Sequence, residues 1–303
     1  MASLIATRDP TPASLEECTE ALATWGFDPR EKESVSHAAH WLGRLGNDRE
    51  FLGDLLVEVL SGLAPVPRGA DELAGGGAQS IMLARPERGD FLIRANIWPA
   101  VSDYAMRASG PEAFSYGYAH DHNYDFLTLG YFGPGCDVED FEYDHTDVTG
   151  WPGEPVPLRR LGRSRLKQGW IRHYRARRDV YRLYPPESLS VSLNLVHRQA
   201  AQGWLDHYRF DTGAGCIESL HGHGPSETFL RIAVALGGDE AKDLALHFGR
   251  THASERMRLH AWQALASAAG DRQDRDEVWR AAEASGSRLV AEAARRRRGG
   301  EFV

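Results

Sequence analysis

The chain has 303 residues, 42% hydrophobic, 26% charged and 10% aromatic, which supports buried cores and excludes a wholly disordered chain. A formal net charge of -8 and a pI of about 5.9 give a general nucleic-acid role no electrostatic support. No run approaches the roughly 20 apolar residues that span a bilayer, Met1 to Arg8 lack the apolar stretch of a secretory leader, and three scattered cysteines (Cys18, Cys136, Cys216) suggest neither a disulfide framework nor a zinc knuckle.

Residues 1–75 read as a helical segment followed by a linker. Ser14 is placed to cap a helix carrying Leu15, Cys18, Ala21, Leu22 and Trp25. Ser34 is placed to cap a second, with Ala38, Trp41 and Leu42, and a third holds Phe51, Leu52, Leu55, Leu56, Val59 and Leu60. Gly26, Gly46 and Gly62 fall near the expected helix ends. The Pro- and Gly-rich stretch 64–78 reads as the linker.

Residues 76–223 change to short strands between turn residues: 81–84, 91–98, 126–132, 170–174, 189–195 and 204–210. That texture predicts an antiparallel sandwich or barrel. Residues 224–303 turn helical again, with apolar stripes at Phe229, Ile232, Ala233 and Leu236, at Leu244, Ala245 and Phe248, and at Met257, Ala261, Leu265 and Ala266. Successive short helices of this kind resemble helical-hairpin repeats, a surface suited to a protein partner. The run Arg295 to Arg298 reads as a solvated helix terminus, where cations suit the dipole. The expected class is therefore α+β: a central β-barrel with helices on both sides in sequence.

The most informative stretch is Ala119 to Gly135. On a strand, His120 and His122 share a face. Two imidazoles at that spacing make half of a first-row metal site, and Asp125 offers an oxygen donor after a slight turn. The alternative is two surface histidines beside a turn. This stretch resembles the first motif of the cupin superfamily: His-x-His, a carboxylate shortly after, a strand and a glycine. Residues 169–195, with a glycine opening a strand, a turn and a second strand, resemble its second motif. The resemblance spans about residues 90 to 215. It implies a barrel in which the histidine pair, the carboxylate and a later histidine hold iron, manganese, nickel or zinc. This chain departs from the pattern twice. Asp125 comes one residue early, and Val180 or Tyr181 stands where the last histidine belongs, with His173 as the other choice. A tyrosine can serve as a phenolate ligand if the metal lowers its pKa from near 10.

A second pair, His221 and His223 with Glu227, lies where a loop enters a helix, with Ser226 as N-cap. It reads either as a structural loop or as an active-site loop at the barrel mouth that orients substrate or supplies a proton. The cluster Arg172, Arg175, Arg177, Arg178 and Arg182 offers an inward guanidinium to clamp a carboxylate. One of the five, with Arg175 as the choice, is expected at the site. The rest should pair with the acidic strip 137–147.

These readings converge on a cytoplasmic protein with neither membrane nor nucleic acid as partner. What the resemblance implies is a non-heme Fe(II) oxygenase, or an enzyme with another divalent metal, hydroxylating or rearranging an amino acid, peptide or small acid. A need for 2-oxoglutarate is left open. The alternatives are a non-catalytic ligand-binding or protein-interaction module, and a metal-dependent isomerase or hydrolase.

Overall fold

The structure is a computed structural model and describes residues 3–6, 9–63, 79–221 and 225–300. The chain divides into two compact units. The first holds residues 1–145, 155–202 and 209–216; the second holds 146–154, 203–208 and 217–303. The expected linker 64–78 lies outside the described residues.

Among the described residues the β-structure forms two six-stranded sheets whose paired strands run antiparallel. In one the order is β1 (Ser3–Ile5), β8 (Ile171–Tyr174), β5 (Phe126–Phe132), β10 (Ser190–His197), β3 (Phe91–Trp98) and β2 (Ser80–Ala84). In the other it is β12 (Cys216–His221), β11 (His207–Asp211), β4 (Ala119–His120), β9 (Asp179–Tyr184), β6 (Asp137–Glu142) and β7 (Arg159–Arg165). From β3 onward, apart from the same-sheet pairs β6–β7 and β11–β12, successive strands pass from one sheet to the other, as in a jelly roll. The expected α+β class with a central barrel is what the chain forms.

Period-2 alternation sorts the first sheet into two faces. Phe91, Ile93 and Ala95 of β3, Leu127, Leu129 and Tyr131 of β5, and Leu193 and Leu195 of β10 share one buried cluster with helical residues Cys18, Leu22, Ala38, Leu42 and Leu45. Those helices are α1 (Leu15–Trp25) and α2 (Lys32–Asn47), followed by α3 (Phe51–Leu60). The intervening residues Leu92, Trp98, Phe126, Tyr174 and Val196 form a second cluster with Val138, Tyr181 and Leu183 of the other sheet, so they fill the space between the sheets.

Ser14 caps α1 in a capping box with Glu17, an arrangement that stabilises a helix by about 1 kcal/mol. Ser34 does not cap α2. It lies inside the first turn, where its hydroxyl accepts the Asp28 N–H at 2.9 Å. Gly46 does not end that helix either. It is buried against Leu129, leaving no room for a Cβ, so the glycine serves close packing of helix on sheet.

The second unit carries α5 (Pro225–Leu236), α6 (Asp239–Thr251), α7 (Glu255–Ser267), α8 (Arg272–Glu283) and α9 (Arg288–Arg298); α4 (Tyr104–Ser109) belongs to the first. Ser254, Asp271 and Ser287 cap α7, α8 and α9 with their side chains. Trp151, Trp262, Trp279, Leu289 and Val290 form one core cluster, and Leu230, Val234, Ala245, Met257 and Ala261 another. The expected stripe on α5 is misplaced: Phe229 and Leu236 are exposed, and the helix buries Leu230 and Val234. The strand expected over 204–210 starts at His207, because residues 200–204 form a 3-10 turn. Among the described residues no helix is long and apolar enough to cross a membrane.

Candidate functional site

His120 ends β4 and lies directly across from Tyr181 of β9. The chain then leaves the ladder before β5, but the alternation persists. The His122 ring stacks on Tyr124 at 4.6 Å and meets Phe126 edge-on at 5.3 Å. The two imidazoles lie 5.2 Å apart, and both border the Tyr181 ring, at 4.6 Å from His120 and 5.7 Å from His122. His120 is buried and His122 half-buried. Nε2 of His122 and the Tyr181 hydroxyl are 2.7 Å apart. Burial, reinforced by the neighbouring phenols of Tyr124 and Tyr174, pushes the Tyr181 pKa well above its ordinary value. A neutral phenol makes the hydroxyl the donor and Nε2 the acceptor.

Asp125 and His173 are not brought to this group. The Asp125 carboxylate lies 3.7 Å from Nε2 of His173. His173 alternates along β8 with Arg172 and Tyr174, and Tyr174 stacks on Phe126 at 4.9 Å between the sheets. Asp125 and His173 therefore occupy the opposite face. Of the expected ligands only His120, His122 and Tyr181 meet, and among the described residues no three His, Cys, Asp or Glu side chains are grouped to hold a metal. Two donors at roughly 2.1 Å from one ion lie roughly 3 Å or more apart, whereas His122 and Tyr181 close to 2.7 Å on a shared proton. As arranged, His122 and Tyr181 share a proton, and an ion held by the three residues would have to take that proton's place.

The other expected site residues are also placed. Arg175 is in the turn after β8, where Asp179 holds its guanidinium at 2.6 Å and Glu142 at 3.4 Å. This corrects its assignment as an inward clamp. Arg178 and Arg182 pair with Glu142 and Glu139. The buried member of the cluster is Arg172, 3.2 Å from Asp140. Burial pushes the Asp140 carboxyl up to about 6 against the opposing pull of Arg172. The backbone of His221 ends β12, while its side chain and all of His223 lie outside the described residues. Glu227 is buried between Arg256 and His260, an ion cluster of the second unit. Cys136 is buried, which raises its thiol to about 12, and Cys216 is half-buried.

The space between the sheets of the first unit contains a cavity of about 50 Å³, measured as room for the centres of water-sized molecules. The aromatic and apolar lining comes from both sheets: Trp98, Phe126 and Tyr174 from the first, and Val138, Tyr181 and Leu183 from the second. The polar lining belongs to the first sheet and is built by register. Arg94 of β3, Asn194 of β10 and Thr128 of β5 stand opposite one another in one row; Asn96, Ser192 and Gly130 form the next. Ser192 accepts the Trp98 indole N–H at 2.9 Å, Ser80 donates to Asn96 at 2.7 Å, and Arg94 donates to the Tyr124 hydroxyl at 3.2 Å. Gly130 is required where it stands, since a Cβ would strike the Lys167 carbonyl. Sequence reasoning missed this polar lining. Its signal was polar residues at every second position inside apolar strands, Arg94 and Asn96 in β3 and Ser190, Ser192 and Asn194 in β10.

Strand order and cavity together define a double-sheet jelly roll, formed by the central part of the chain. No protein-family model matches the sequence, and no curated protein matches it significantly. Among solved structures, a hydroquinone 1,2-dioxygenase from a Sphingomonas species is similar at 12% identity, covering 42% of this chain and 69% of that one, with a TM-score of 0.26. A cupin domain from Bordetella pertussis is similar at 10% identity, covering 41% and 97%, with a TM-score of 0.23. A DMSP lyase from Ruegeria pomeroyi is similar at 12% identity, covering 65% and 79%, with a TM-score of 0.25. Likeness of this degree does not carry a function from them to this chain.

Proposed function

We propose that the barrel of the first unit is a binding module for a compact anion, a small carboxylate of acetate or glycolate size. The observation that carries this reading is the buried guanidinium of Arg94 in the cavity wall, flanked across the strands by Asn194 and Thr128. A guanidinium matches a carboxylate with two parallel hydrogen bonds, and the aromatic lining suits the ligand's carbon end. One water occupies roughly 10–15 Å³ by this measure, so a cavity of about 50 Å³ takes a few heavy atoms and no peptide. Calorimetric titration with acetate, glycolate and neutral acetamide tests it. At least one carboxylate should bind saturably, acetamide should not, and Arg94→Gln should weaken carboxylate binding by about tenfold or more. Equal binding of acetamide, or carboxylate binding unchanged in the variant, sinks the reading.

A second reading, a metal-dependent oxidoreductase acting on a small acid, is favoured by the meeting of His120, His122 and Tyr181. It requires the Tyr181 hydroxyl to lose its proton and His122 to draw back from it. Elemental analysis after Fe(II) loading tests this reading. One metal per chain, lost in His120→Ala/His122→Ala, supports it; a metal-free chain with both histidines intact discards it.

A further inference from the structure

The second unit has a feature that the barrel does not explain. Helices α5, α7, α8 and α9 border an open groove with about 1150 Å³ of room for the centres of water-sized molecules. Arg231, Arg272, Arg275, Arg297 and Arg298 line it, against a single carboxylate, Asp276. The floor is apolar, formed by Ala266 and the buried Trp279. In a chain of net charge -8 this concentration of one sign is local.

Part of the charge is already committed. Arg298 bridges Asp276 at 2.9 Å and Glu283 at 2.7 Å, which holds the wall between α8 and α9 in place. Arg231, Arg272 and Arg275 are exposed and make no ion pair among the described residues. Arg275 is oriented by its Nε–H bond to the Ala266 carbonyl at 3.3 Å, which leaves the terminal nitrogens of its fork for a ligand. Three guanidinium groups around one concave space repel one another, and a multiply charged anion relieves that repulsion while accepting forked hydrogen bonds.

We propose that this groove binds a compact polyphosphate, of the class of a nucleoside di- or triphosphate or free pyrophosphate, with Arg231, Arg272 and Arg275 as phosphate contacts and Arg298 as the positioning residue of the wall. The room is ample for a molecule of that size. A long nucleic acid would bring many charges against the rest of an acidic chain and gain only this patch. A small polyanion meets the arginines alone.

Calorimetric titration of the full chain with inorganic pyrophosphate and with ATP tests the proposal. At least one probe should bind saturably with one site per chain, and more weakly as salt rises. Binding of both phosphates with ATP no tighter would assign the site to the phosphates alone; tighter ATP would assign it to the ester, and either supports the class. Arg231→Ala/Arg272→Ala should weaken binding by about tenfold or more, while Arg94→Gln, in the other unit, should leave it unchanged. Both replaced arginines are exposed and outside any ion pair among the described residues, so far-ultraviolet circular dichroism should match the parent; Arg272→Glu alone is the second variant and should also weaken binding. Dilution heats only for both probes, undiminished affinity in the variants, or tight binding of a 20-nucleotide RNA with neither small probe bound would each overturn it.

Discussion

At Asp140 burial outweighs the opposing pull of the Arg172 guanidinium. Burial beside Arg172 raises its carboxyl from 3.8 to about 6, so the folded chain holds this proton more tightly than the unfolded chain does. Its contribution to stability is full below about pH 4 and is lost as the pH rises through about 6. Glu142 behaves oppositely: Arg159 holds it down to about 2, and its contribution is lost only as the pH falls below its ordinary 4.5. Asp140→Asn should therefore flatten the dependence of Tm on pH between about 4 and 6, whatever its effect on Tm itself. An unchanged slope would mean that Asp140 does not titrate there. Tyr181→Phe deletes the hydrogen bond to His122 and should cost about 1 kcal/mol, measured by denaturant unfolding. The imidazole nitrogen resonances of His122 should shift as Nε2 loses its donor. Much of this group was legible from period-2 counting, which puts His120, His122, Tyr124 and Phe126 on one side. The same counting assigns Asp125 to the other, and the motif resemblance obscured that. The partnership of His122 with Tyr181 was not legible, because it depends on the register of β4 with β9, strands separated by an excursion through the other sheet.

At the scale of elements, close approach decides more than pattern. Gly249 of α6 carries its carbonyl 3.0 Å from the Trp262 indole nitrogen, and a Cβ there would come within 2.8 Å of the ring. Gly249→Ala must push α6 away from α7, at a cost of about 1–3 kcal/mol. Chemical denaturation that shows a gain or no change would mean that the ring yields freely. Strands β3 and β5 were read from the sequence with the bounds they have, since each is an apolar run between turn residues. Strands β6, β7 and β9 were missed. β7, with the sequence RRLGRSR, has almost no apolar periodicity; its partners are the carboxylates of β6, and charge pairing between strands leaves no trace in a single strand's hydrophobicity. The α5 stripe failed for another reason: two interleaved stripes fit the same helix, and the choice between them depends on helices that come later in the chain.

Across the whole molecule, charge is sorted locally: arginines gather on β7 and in the groove of the second unit, within a chain that is acidic overall. On β7 the sorting takes the form of a ladder. Arg159 meets Glu142, Arg160 meets Glu139, and Arg163 and Arg165 both meet Asp137. Each exposed rung adds little stability, typically under about 1 kcal/mol. The ladder has a different consequence. β7 is the last strand of its sheet among the described strands, so its outer backbone groups form an open template for a strand from another chain. A row of solvated guanidinium groups repels its own copy, and the register shift opposite Gly162, at φ +138, bends the strand away from straight pairing. The arginines are thus expected to disfavour edge-to-edge joining of separate copies of the chain. Arg160→Ser/Arg163→Ser should leave Tm nearly unchanged and yet raise light scattering when the protein is held warm and concentrated.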